Sequence, residues 1–237
     1  ERDQLDKAIG LYQGVHGGEN HFDAKIRLSL ILAKQGNVDK ALNNIRSIQK
    51  VKDSSRLILI QAEAEILISA KRYQEAMELF NKAIKEKSHV DIFYSRAMLA
   101  EKMDLMDLLE SDLKTILEKD ANNVTALNAL GYTLADRTDR YEEAYAYIQR
   151  AYKLSPSDFY ILDSMGWVLY RLGRLSESIE YLQKALELRN DPEIAAHLGE
   201  VLWVRGDRKA AQDIWDTALK ETPKDDRLLD IIKRFKP

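Results

Sequence analysis

Residues 159–192 read FYILDSMGWVLYRLGRLSESIEYLQKALELRNDP. Apolar residues recur here at helical spacing on both sides of a break at Gly173. Small residues stand where two packed helices would touch: Gly166 in the first, Ser178 and Ala185 in the second. Leu162, Met165, Leu169, Ile179, Leu182 and Leu186 surround them. Helices that pack at roughly 8–10 Å accept only small side chains at their closest points. The stretch therefore predicts a helical hairpin, and the rest of the chain repeats it.

One small or apolar position recurs as Ala8, Ala41, Ala76, Leu109, Ala144, Ser178 and Ala211, in steps of 33 to 35 residues. A second series lies seven residues further on: Val15, Ile48, Ala83, Ile116, Ala151, Ala185 and Ala218. A third runs through the first helix of each hairpin: Ser29, Ala64, Ala97, Gly131, Gly166 and Gly199. Three series in phase at one period mark a repeat architecture. One hairpin cannot bury its apolar faces alone, so stacked neighbours must complete the core.

Composition agrees with an all-α chain. Its 237 residues are 45% hydrophobic and 32% charged, with only 4 prolines and 10 glycines, which argues against a loop-rich or all-β fold. A net charge of −3 is too balanced to point to nucleic acid or an anionic membrane. No apolar run approaches the roughly 18 residues of a membrane helix. The absence of cysteine excludes disulfides, thiolate metal sites and a cysteine nucleophile. The sequence starts at Glu1 rather than at methionine, so a signal peptide or lipid anchor upstream is an expectation.

The pattern resembles the tetratricopeptide repeat (TPR). Leu130-Gly131, Leu134, Ala144, Ile148, Ala151 and Pro156 match one copy. Met165-Gly166, Leu169, Ser178, Leu182 and Ala185 match the next, and Leu198-Gly199, Leu202, Ala211, Trp215, Ala218 and Pro223 the last. The copy at 90–123 departs most, with Arg96 in place of the Leu and Leu109 in place of the Ala. The resemblance implies a right-handed superhelix, an α-solenoid in one domain. Its expected parts are a leading half repeat (1–21), helix pairs at 22–56, 57–89, 90–123, 124–158, 159–191 and 192–225, and a capping helix at 226–237. Asp158 and Asp191 read as helix N-caps, with Pro192 at the first helical position. The fourth pair has an extra residue near Asp136–Arg140, expected in its internal turn. Leu228, Leu229, Ile232 and Phe235 predict the apolar face of the cap.

No catalytic motif occurs, and no enzyme activity, cofactor or metal site is expected. Gly14–Gly18 lacks the Lys-Ser/Thr of a phosphate loop, and His16, His21, His89 and His197 are scattered. What remains is a groove. In the TPR family the first helices line a concave face, and carrying their inward positions over gives Asn128, Tyr132, Tyr160, Asp163, Trp167, Tyr170, Glu200 and Trp203, with Arg171 and His197 beside them. Aromatic area with a few polar groups suits a protein or peptide partner. For Trp167 and Trp203, packing against the next helix is an equally good reading. The polar tips of Asn128, Tyr132 and Asp163 favour the groove, because such groups are rarely fully buried. The cationic clamp of chaperone-tail-binding members is missing, so a neutral or basic partner fits better than an acidic tail.

The runs from Ala126 through Leu175 and from Ala195 through Trp215, above all Asp136–Arg140, Asp163–Trp167 and His197–Glu200, also resemble a group of bacterial outer-membrane TPR lipoproteins. That group includes an adaptor of a periplasmic carboxy-terminal processing protease. The resemblance implies a periplasm-facing, outer-membrane-anchored adaptor whose partners are a protease and its substrates. Three alternatives stay open: a cytoplasmic scaffold, an assembly module that self-associates through the unpaired helix of residues 3–14, and a regulatory portion of a larger enzyme.

Overall fold

In a computed structural model, residues 21–48 and 53–235 are described, together with 7, 10–12, 14 and 15. Leu5, Ala8, Ile9 and His16, which belong to the expected half repeat and its turn, lie outside the described residues. Helices occur at α1 (His21–Lys34), α2 (Val38–Arg46), α3 (Asp53–Ser69), α4 (Tyr73–Glu86), α5 (Val90–Lys102) and α6 (Met106–Lys119). They continue with α7 (Val124–Arg137), α8 (Tyr141–Leu154), α9 (Phe159–Arg171), α10 (Leu175–Leu188), α11 (Pro192–Arg205), α12 (Arg208–Glu221) and α13 (Asp226–Phe235). No strand occurs among the described residues, and no helix there is long and apolar enough to cross a membrane. The chain forms two compact units, residues 1–115 and 116–237, whose boundary lies inside α6.

In the first unit the helix pairs close over Ala41, Ala64, Ala76 and Ala97, all buried. The turns inside the pairs need a left-handed residue after the first helix. Gly36 supplies it with φ 82°, but Lys71 and Asp104 adopt it with φ 58° each. A side chain with a Cβ is disfavoured there by roughly 1–2 kcal/mol. Lys71→Gly is therefore expected to stabilise the first unit by about 1 kcal/mol, measured as a higher urea midpoint; an unchanged midpoint would show that Lys71 contacts offset the strain.

The departure at 90–123 has a structural reason. Arg96 on α5 donates from Nε and Nη2 to Asp112 on α6, at 2.8 and 2.7 Å. Its Nη1 donates to Asn81 Oδ1 on α4 at 2.6 Å. Asp112 is 1% exposed. A bidentate ion pair thus stands where other copies place apolar contacts.

In the second unit the small residues act as expected. A Cβ on Gly131 would lie 2.5 Å from Ile148 Cγ1. On Gly166 and Gly199 it would overlap Leu182 and the Trp215 indole. Ser178 Oγ donates to the Gly166 carbonyl at 2.6 Å, so the serine in the small-residue series also ties the pair together. Asp158 Oδ1 caps α9 by accepting from the Tyr160 amide at 2.9 Å, and Asp191 Oδ1 caps α11 by accepting from the Glu193 amide at 3.0 Å. Near the extra residue, α7 runs to Arg137 and Thr138 is extended, with no left-handed glycine like Gly173 or Gly206. Thr138 Oγ1 donates to the Leu134 carbonyl at 2.6 Å and accepts from the Arg140 amide at 3.1 Å, which holds this turn.

The last helix closes the unit. Leu228 and Ile231 are its buried residues, with Ile232 and Phe235 partly buried beside them. Ile231 was not among the residues expected on this face, and Leu229, which was, is half-buried. Trp203, Trp215 and Phe235 form an aromatic cluster with centroids 5.7 to 6.1 Å apart.

Candidate functional site on the first helices of the second unit

The first helices of the three pairs in this unit are α7, α9 and α11. Tyr132 on α7 passes α9 to donate from its hydroxyl to Glu193 Oε1 on α11 at 3.4 Å, and its ring lies 6.3 Å from that of His197. We call the side of α7, α9 and α11 that carries this contact the inward face; some of the positions expected from sequence lie on it and others at its margins.

At its centre His197 Nδ1 donates to Asp163 Oδ1 at 2.9 Å, across one repeat. Both are buried, at 4% and 6% exposure. The Trp167 ring stacks on the His197 ring at 4.3 Å and 26° and is itself 6% exposed. The expectation that the Asp163 tip would stay open is thus corrected: a histidine partner on the next repeat makes its burial tolerable. Trp167 packs on the next first helix, which was one of its two readings. Toward the cap, Tyr170 donates to Glu200 Oε1 at 3.2 Å, and Arg234 from α13 donates to Glu200 Oε2 at 3.2 Å. Glu200 is buried. A second, parallel arrangement links Tyr132, Glu193 and Arg227, the last two as an ion pair.

The other positions fall at the margins. Tyr160 is 57% exposed, one turn before Asp163, with its ring against Phe159. Arg171 turns to the edge, where it donates to the Asp136 carbonyl at 3.4 Å and to the Tyr141 hydroxyl at 2.5 Å. Trp203 belongs to the aromatic closure with Trp215 and Phe235 rather than to this line. Asn128 is half-buried on α7. Two polar atoms here are closed to solvent and have no hydrogen-bond partner: Asn128 Oδ1 and Trp167 Nε1. Sequence reading missed Glu193, Arg227, Arg234 and Asp136. The spacing of seven shared by Glu193/Glu200 and Arg227/Arg234 was the available signal.

Electrostatics follow from this packing. Burial alone lowers the His197 pKa. Asp163, by charge and hydrogen bond, with Glu200 and Asp136 adding to it, outweighs burial and leaves the imidazole raised above 6.5. A histidine raised in the folded state contributes stability that is complete below the unfolded value of about 6.5 and is lost as pH climbs through the folded one. Asp163→Asn is expected to lower the His197 pKa, read from imidazole proton shifts by NMR, while circular dichroism keeps its helical signal. An unmoved titration would mean the pair does not carry the charge. Tyr170 is pushed up to about 12 by burial and then by the Glu200 charge and hydrogen bond. No group of three metal-ligating side chains occurs among the described residues.

Comparison with known proteins bears on the repeat itself. Residues 60–89, 110–159 and 159–192 match the tetratricopeptide repeat. The chain carries tetratricopeptide repeats. It is 39% identical over 201 residues to the TPR repeat-containing protein PA4667 of Pseudomonas aeruginosa, covering 84% of this chain and 34% of that protein. The chain thus spans about a third of this relative's length. TTC0263, a thermophilic TPR protein of Thermus thermophilus, superposes with a TM-score of 0.61 at 25% identity, over 73% of this chain and 93% of that one. A tetratricopeptide repeat protein of Parabacteroides merdae gives a TM-score of 0.74 at 15% identity, over 91% of this chain and 85% of that one. TPR proteins in general mediate protein–protein interactions.

Proposed function

We propose that the inward face of α7, α9 and α11 docks an extended segment of a partner protein, and that the chain acts as a non-catalytic adaptor. The observation that carries this is the pair of unmatched polar atoms on successive first helices. Trp167 Nε1 lacks an acceptor and Asn128 Oδ1 lacks a donor. Buried polar groups without partners cost roughly 1–3 kcal/mol each. A polypeptide backbone carries both an acceptor and a donor. Exposed Tyr160 adds stiff contact area at the rim. Asn128, Tyr132, Tyr160, Asp163, Trp167, Tyr170, His197 and Glu200 are the proposed docking set; Arg171 and Trp203 flank it.

The finer proposal places this adaptor in the bacterial periplasm, anchored to the outer membrane, serving a protease or another cell-envelope complex. The resemblance of residues 126–175 and 195–215 to outer-membrane TPR lipoproteins supports it. Fractionation of the producing cell tests it, with recovery in the cytosol as the contrary result.

The docking claim is tested with peptides selected by phage display against the full chain. Trp167→Phe keeps an aromatic ring at this position and removes the indole donor together with the pyrrole half of the side chain, so circular dichroism and melting are followed alongside binding. The selected peptides are expected to bind this variant at least about tenfold more weakly, in keeping with the loss of a buried hydrogen bond. Unchanged affinity would sink the assignment of Trp167.

A further inference from the structure

We infer that the partner segment docked on this inward face is basic, presenting an arginine or lysine to the carboxylates of α7, α9 and α11. The inference rests on the docking reading above and names the chemistry of its occupant. Asp136, Asp163, Glu193 and Glu200 stand on three successive first helices; Asp163 is bonded to His197 at 2.9 Å, Tyr132 spans from α7 to Glu193, and the Asp136 and Glu200 charges both act on His197. Against them stand His197, which pairs with Asp163 at 2.9 Å, and Arg227 and Arg234, whose side chains are 58% and 59% exposed. The third nearby arginine, Arg171, spends its donors on the Asp136 carbonyl and on Tyr141.

The carboxylates and their cations therefore differ in character. Glu200 has a side-chain exposure of 7%, while the arginine that reaches it comes from the rim. A rim guanidinium in contact with water is held weakly, because solvent and salt screen the pair. A cationic side chain entering along the inward face would meet the same carboxylates from the less hydrated side, where a charge-assisted hydrogen bond is stronger. The independent pointer to a polypeptide is Trp167 Nε1, a buried donor without a partner inside this cluster. A backbone carbonyl satisfies the indole while the side chain satisfies the acids. An acidic segment would face uncompensated repulsion, and a neutral one would leave the carboxylates as they are.

The test uses the full chain and three labelled 12-residue Gly-Ser peptides that carry arginine, glutamine or glutamate at the same positions. Binding is read by fluorescence anisotropy at fixed ionic strength. The arginine peptide should bind about tenfold more tightly than the glutamine peptide, and the glutamate peptide more weakly than either. Asp136→Asn with Glu193→Gln should abolish that preference. Glu142→Gln with Glu180→Gln, which removes the same charge from exposed positions on α8 and α10, should preserve it. Equal loss in both double variants would mean nonspecific attraction and would overturn the inference. Equal binding of the arginine and glutamine peptides would overturn it too while leaving the docking face intact. Failure of all three peptides to bind would remove the docking reading itself.

Discussion

Asp112→Ala is expected to destabilise the first unit by about 3–5 kcal/mol, the cost of stripping one partner from a buried ion pair. Asp112 is 1% exposed and accepts two hydrogen bonds from Arg96, whose side chain is 15% exposed. Without the carboxylate a guanidinium is left in a packed helix interface with Asn81 as its remaining named acceptor. It must then stay charged without compensation or drag its helix toward water. Arg96→Leu with Asp112→Leu should behave differently. It removes both charges and restores apolar residues at positions that other copies fill with Leu130, Met165 or Leu198 and with Leu79 or Ile214. That double variant is expected within about 1 kcal/mol of the parent. Urea unfolding gives the magnitudes. Because repeats can open locally, amide exchange should also show the loss in residues 73–115. A cost below about 1 kcal/mol for Asp112→Ala would show the pair to be solvated.

Trp215→Ala should cost the second unit a similar amount, about 3–5 kcal/mol. Trp215 is fully buried over Gly199, at the position held by Ile148 and Leu182 in the two preceding copies. Its Nε1 donates to the Ala196 carbonyl at 3.5 Å, and Trp203 and Phe235 stack beside it. Truncation opens a cavity, orphans the glycine contact and removes the surface on which Phe235 anchors α13. The expected signature is therefore regional. Amides of α13 lose protection first, and Arg234 then ceases to hold Glu200. Gly199→Ala probes the same contact from the other side. A helix gains roughly 1 kcal/mol from glycine to alanine, yet the new methyl would overlap a rigid indole. Net destabilisation of about 1–2 kcal/mol is expected from overpacking.

The fold was legible because its signal is local and periodic. Gly131, Gly166 and Gly199 each mark one close approach, and the residue opposite each lies on the next helix 16 residues on, or 17 in the pair that carries the extra residue. Asp158 and Asp191 announced their helix starts by residue type alone. The site was legible only in part. Repeat phase located Asp163, Trp167 and His197 on the inward side, but it could not reveal that Asp163 and His197 bury each other. That pairing depends on side chains one repeat apart pointing at the same space. Arg96 read as damage to a repeat for the same reason: its partner is 16 residues away on another helix. Sequence left groove and packing open for Trp203, and the capping helix supplies the Phe235 that draws its indole into the closure of the stack. The spacing of Arg227 and Arg234 carried their role, yet basic residues near a helix end have a simpler use in complementing its dipole.

The central claim is that the inward face of the second unit contacts a partner polypeptide. Photocrosslinking in the producing cell tests it most directly, with p-benzoylphenylalanine placed at Tyr160 on the rim of that face or at Glu180, exposed on α10. The account predicts discrete crosslinked species from position 160, lost on addition of Trp167→Phe, and none from position 180. Equal crosslinking at the two positions, or crosslinks at 160 indifferent to Trp167→Phe, would contradict it.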